Sequence, residues 1–129
     1  MESEITSKEI EETRLNLVTR RTSLERRLEG HEAMGRMFAI QQLTLAIAEE
    51  NYGFVLSKAK YHGIKIPDEH LKKAADWYSA CTTSESLILA RDAYRSLGLV
   101  KESRALYGRI LEAFDNEHVE DRAEIEQRQ

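Results

Sequence analysis

Residues 85–116 read ESLILARDAYRSLGLVKESRALYGRILEAFDN, and this stretch decides the fold. Gly98 divides it. The residues before Gly98 predict a helix over about 84–97, which a glycine in the left-handed conformation would end. Thr82-Thr83-Ser84-Glu85 has the form of a capping box, with hydroxyl and carboxylate each serving an unpaired backbone N–H at the helix start. A second helix follows over about 100–114, with Leu106, Tyr107, Ile110, Leu111 and Phe114 expected to face the core. Beyond Asp115 the sequence DNEHVEDRAEIEQRQ is polar and acidic, and either a frayed helix or a disordered tail fits it.

Upstream, residues 32–62 are the most apolar part of the chain. Met34, Met37, Phe38, Ile40, Leu43, Leu45, Ile47, Tyr52, Phe54, Val55 and Leu56 cover more than half of a helix circumference, which predicts a central helix, kinked at Gly53 if anywhere. Gly63 ends it, IKIP connects, and Pro67 suits the first turn of a helix over about 67–80, with Leu71, Ala74, Ala75, Trp77 and Tyr78 inward. No run has the alternation of a strand.

At the N-terminal end, Thr6-Ser7-Lys8-Glu9 is another capping box, opening a helix expected to stop at Gly30. Ile10, Leu17 and Leu24 are spaced by sevens and Leu28 extends the stripe, as in a coiled-coil seam, but Arg14 and Arg21 occupy the alternate seam positions. The helix over 6–29 therefore either packs on its own domain or pairs with a second copy through these four residues. The whole reads as one all-α domain over 1–115: an amphipathic N-terminal helix, a first antiparallel hairpin over 32–80, a second over 84–114, then the tail of 116–129.

The bulk properties agree with long helices bearing charged outer faces. Apolar residues make up 41% and charged residues 33%, and 19 basic against 23 acidic side chains leave a net charge of −4. Residues 84–129 hold 7 basic and 10 acidic groups, so the excess acid lies in the tail. Such a balance gives no field aimed at nucleic acid or an anionic membrane. The single cysteine, Cys81, allows no intrachain disulfide and fits a reducing compartment. The opening MESEITSKEIEE lacks the apolar core of a signal peptide, and no 18-residue apolar run is present, so a cytoplasmic location is expected.

Gly63 and Gly98 are 35 residues apart, each between two helices, and a period near 34 marks helical-hairpin repeats. Ala93-Tyr94, Gly98, Glu102, Tyr107 and Leu111 are spaced as in a tetratricopeptide repeat, and the segment 85–116 resembles one such repeat. Ser103 and Ile110 stand where the family prefers alanine, and Asp115 falls near the place of its usual proline. Tyr52, Val55, Ala59 and Gly63 form a weaker upstream copy whose second helix loses register after IKIP. The resemblance implies an adaptor that binds protein non-covalently, with Ile88, Leu89, Asp92 and Arg95 of a first helix lining a groove. Asp92 argues against the lysine-and-asparagine clamp by which some members grip a peptide C-terminus. About three stacked hairpins are needed for stability, whereas two are present here, so surface must come from the N-terminal helix, a second copy or another protein. A homodimer is the simplest such partner, and a self-associating subunit of a larger assembly is the alternative function.

Catalytic chemistry finds little support in the spacing. His31, His62, His70 and His118 form no HExxH motif, and none follows a glutamate by three residues, so no metal site is expected. Arg26 and His31 have the R-x4-H spacing of HEPN-type helical ribonucleases, but at the end of the first helix rather than late in a bundle; a small nuclease is the remote alternative. A nucleophile at Cys81 would need a basic neighbour and a fixed geometry that the sequence does not show, so a small buried or half-buried thiol is expected. The six glycines are isolated, so no loop cradles a phosphate or cofactor. A helix-turn-helix after Ala59 and Gly63 fails at Glu69, where an apolar residue is needed, and the next helix would present acid to phosphate.

Overall fold

The computed structural model of the chain describes residues 3–29 and 35–128, with side chains over 4–27 and 35–118. It is predominantly helical. In chain order the elements are β1 (Ser3–Glu4), α1 (Ser7–Leu15), α2 (Leu17–Glu29), α3 (Arg36–Ala48), α4 (Val55–His62), β2 (Ile64–Lys65), α5 (Asp68–Ser79), α6 (Ser84–Ser96), α7 (Val100–Ala105) and α8 (Tyr107–Arg128). Two compact units are present, residues 1–74 and 75–129, and the division falls inside α5. The segment expected to form the second half of a first hairpin is thus shared between them. Among the described residues no helix is long and apolar enough to cross a membrane.

In the first unit α3 is central, packed by α1, α2 and α4. Ile5, Ile10, Leu43, Ile47 and Val55 are its most deeply buried large side chains. Thr6 caps α1 as expected, its hydroxyl accepting the Glu9 N–H at 3.2 Å. The predicted continuous helix over 6–29 is interrupted at Asn16, whose side-chain amide donates to the Glu12 carbonyl at 2.9 Å while its backbone N–H turns to Thr13. The amide has taken the acceptor that the backbone would use, which is how asparagine competes with a helix.

The predicted helix over 32–62 is also two helices. α3 ends in a Schellman motif: the Asn51 N–H reaches the Ala46 carbonyl at 2.8 Å and the Glu50 N–H reaches Ile47 at 3.0 Å. Glu50 occupies the left-handed position of that motif, with φ 57°. The break thus falls three residues before Gly53, and Tyr52 lies buried in the connection. Arg36 donates to the Gly63 carbonyl at 2.8 Å and Lys58 to Gln42, tying α3 to α4 at two levels. Gly63 ends α4 in the left-handed conformation, as predicted.

A two-residue parallel ladder was not expected. Ser3 pairs with Ile64 and Glu4 with Lys65, and the Ile5 N–H extends the ladder to the Lys65 carbonyl at 3.0 Å. Within IKIP, Ile64 and Ile66 are buried and Lys65 is exposed, an alternation too short to register as a period.

In the second unit α6 packs against α7 and α8. Thr83, not Thr82, is the N-cap, accepting the Ser86 N–H at 3.3 Å; Ser86 rather than Glu85 then holds the third helical position, so the cap lacks the carboxylate of the expected capping box. Glu117 adds to that cap: the Ser84 N–H and hydroxyl donate to its two carboxylate oxygens at 2.9 and 2.7 Å. A carboxylate suits a helix N-terminus because the first N–H groups there lack partners and the helix dipole is positive. Gly98, at φ 76°, closes α6, with the Leu99 N–H on the Tyr94 carbonyl and the Gly98 N–H on Arg95. The residues after Asp115 continue α8 to Arg128.

Candidate interaction surfaces

The residues expected to line a groove lie on α6. Leu87, Ala90, Ala93 and Tyr94 face the core of the second unit. Ile88, Asp92 and Arg95, at helical spacing, share the opposite side, with Leu89 beside them. Ile88, Leu89 and Asp92 are half-buried and Arg95 is exposed; Asp92 pairs with Arg91 at 3.4 Å. The Tyr94 hydroxyl donates to Asp76 at 2.6 Å, and burial, then this bond, raises its pKa.

The residues expected to mediate self-pairing are divided between two helices, Ile10 on α1 and the three leucines on α2. Ile10 is 1% exposed, within the core of the first unit. Leu17 and Leu24 are half-buried on α2, beyond the interruption at Asn16, and the Leu28 side chain lies outside the described residues. Spacing by sevens keeps one face only along an unbroken helix, so the interruption at Asn16 separates Ile10 from Leu17 and Leu24, which remain seven apart on α2. Leu24 instead enters a cleft of about 370 Å³ between α1–α2 and α3. Thr13, Thr44 and Leu45 form its buried floor, Ile40 and the 69%-exposed Met37 an apolar wall, and Glu9, Glu12 and Arg20 its charged rim.

The surface that sequence reasoning missed runs along α7 and α8. Ser103, Leu106, Ile110 and Ala113 are the buried residues there. Val100, Tyr107, Leu111 and Phe114 are 54, 59, 48 and 48% exposed. Tyr107, Leu111 and Phe114 were expected inward, as was Trp77, which is also exposed. The His118 ring lies 4.1 Å from that of Phe114 and continues the stripe. The signal was in the sequence: 106, 107, 110, 111, 113 and 114 span too much circumference for one neighbour at 3.6 residues per turn.

The titratable groups are placed as follows. His70 is buried on α5, and burial, the largest effect, lowers its pKa; Glu69, Lys73, Arg14 and Glu11 are the charges around it. Its Nδ1 and the Tyr52 hydroxyl are buried without a hydrogen-bond partner. Burial, then the Glu50 charge, raises the Tyr52 pKa. His62 lies edge-on to Tyr61 at 4.9 Å, and His31, the partner proposed for Arg26, lies outside the described residues. Cys81 is half-buried, its thiol 3.9 Å from the Trp77 carbonyl. Beside it Arg109 donates to the Ser79 and Cys81 carbonyls at 2.6 and 3.3 Å, holding the turn between α5 and α6. Among the described residues no group of three or more His, Cys, Asp or Glu is arranged to hold a metal ion. No protein-family model matches this chain, and no curated protein or solved structure matches it.

Proposed function

We propose that this chain is a non-catalytic, helical-hairpin scaffold, tetratricopeptide-like over 84–116, that works by packing exposed helix faces against protein. The observation that carries the reading is the stripe of Val100, Tyr107, Leu111 and Phe114, half exposed at helical spacing beside a separate buried face. Aromatic residues are enriched in the cores of protein interfaces, where they contribute large area at low entropic cost. Two further features support it. The Ser84–Glu117 bonds at one end and the tight turn at Gly98 at the other fit an antiparallel pairing of α6 with α7–α8 and support the hairpin reading. The cleft beside Leu24 and Met37 offers a second recess, apolar along one wall and polar elsewhere.

Photo-crosslinking tests the reading. A photoreactive phenylalanine analogue at Phe114 should give protein adducts, and the same group at exposed Lys60 on α4 should not. Equal labelling at both positions, or none at Phe114, would remove the support for a protein-binding face.

A further inference from the structure

We infer that the α7–α8 face is homotypic: a second copy of this chain lies on it, antiparallel, about a two-fold axis. The inference rests on the association reading above and adds the partner, the direction and the register.

Charge selects the partner. On the solvent flank of the stripe, exposed Arg104 lies towards the N-terminal end and exposed Asp115 towards the C-terminal end. Two-fold symmetry reverses one copy against the other, so the Arg104 of each copy would meet the Asp115 of the other, twice per dimer. A parallel pair would set like charges together. A uniformly acidic or basic partner helix would match only one end.

The register follows from the same residues. Leu106, between α7 and α8, keeps a right-handed helical backbone at φ −82° and ψ −16°, so the eleven residues from Arg104 to Asp115 span about 16 Å. Their midpoint falls between Arg109 and Ile110, within one residue of the centre of the Tyr107–Phe114 stripe. At that register Leu111 sits opposite Gly108, where a Cβ would find nothing within 4 Å, so the position is open to an incoming side chain.

The area sets the strength. A fully buried aromatic contributes roughly 150–250 Å². Four side chains about half exposed therefore offer on the order of 300–400 Å² per copy, below the roughly 800 Å² per partner of a standard interface. An interface of that size belongs to the weak, transient class, so the dimer should form only at micromolar concentrations or above.

Sedimentation velocity of the full chain from about 2 to 500 µM tests this. Wild type should pass from monomer to dimer within that range. Leu111→Glu should remain monomeric, with an unchanged circular dichroism spectrum as the check on folding. Arg104→Asp and Asp115→Arg should each weaken association several-fold, because each creates two like-charge pairs. An equimolar mixture of these two proteins should recover it, since both cross-pairs are again opposite in sign. A dimer that ignores all three substitutions would overturn this face while leaving association itself standing. A wild type that stays monomeric, or a mixture no tighter than its components, would overturn the self-pairing. Phe114 crosslinks only to other proteins would also overturn it while keeping the scaffold reading.

Discussion

Glu50 holds a position that glycine normally fills, and Glu50→Gly should stabilise the protein. At φ 57° its Cβ crowds the following carbonyl, which costs a side-chain-bearing residue roughly 1–2 kcal/mol. Glycine removes that cost but adds freedom to the unfolded chain, worth about 0.4–1 kcal/mol. Little else is lost: the Lys73 ammonium is 4.0 Å from the Glu50 carboxylate and both are largely solvated, a geometry that contributes almost nothing. The net gain is about 0.5–1 kcal/mol, or roughly 2–5 °C in melting temperature for a chain of this size. Urea and thermal unfolding followed by circular dichroism would measure it. Asparagine tolerates the left-handed region better than alanine does, so the expected order of stability is Gly, then Asn, then Glu and Ala together. If Glu50→Gly were no more stable than Glu50→Ala, the backbone argument for where α3 ends would be wrong.

Three other perturbations have defined outcomes. Tyr94→Phe removes the hydrogen bond to Asp76 with the ring still buried, and should lower stability by about 1–2 kcal/mol in urea titrations. Because burial lowers the His70 pKa, the unfolded chain binds more protons than the folded one below the ordinary histidine value; stability is complete above that value and falls as the pH drops below it. His70→Met should flatten this slope between pH 7 and 5, and an unchanged slope would exclude His70 as its source. Glu117 has a lowered pKa, caused first by the Ser84 backbone bond and then by its hydroxyl, so its contribution is present above the carboxylate range and lost as pH falls through it. Glu117→Gln should lower the melting temperature at neutral pH, and the difference from wild type should vanish in acid.

The helical class and several boundaries were legible because they rest on local chemistry. Thr6 as a cap, and Gly63 and Gly98 as left-handed stops, each act through hydrogen bonds within a turn of their own position. What was hidden depended on residues that can serve two states. Asn16 can continue a helix or seize the carbonyl of Glu12, and Glu50 can extend a helix or end it at a conformational cost. Periodicity along α7–α8 shows more apolar circumference than one neighbour covers but not which part is buried, because Leu106 and Ile110 on the buried side alternate with Tyr107, Leu111 and Phe114 on the exposed side. The small residues mark the covered side: Ser103 and Ala113 are buried with Leu106 and Ile110, while Tyr107, Leu111 and Phe114 are exposed. The Glu117 cap on α6 could not be read at all, since it joins positions 33 residues apart.

Light scattering of the intact chain over a hundredfold range of concentration tests most directly the claim that it works by association. The mass should rise from 14.9 kDa towards twice that value, and the melting temperature should rise with concentration because assembly is linked to folding. A mass that stays at 14.9 kDa throughout, with a melting temperature independent of concentration, would contradict association between copies of this chain.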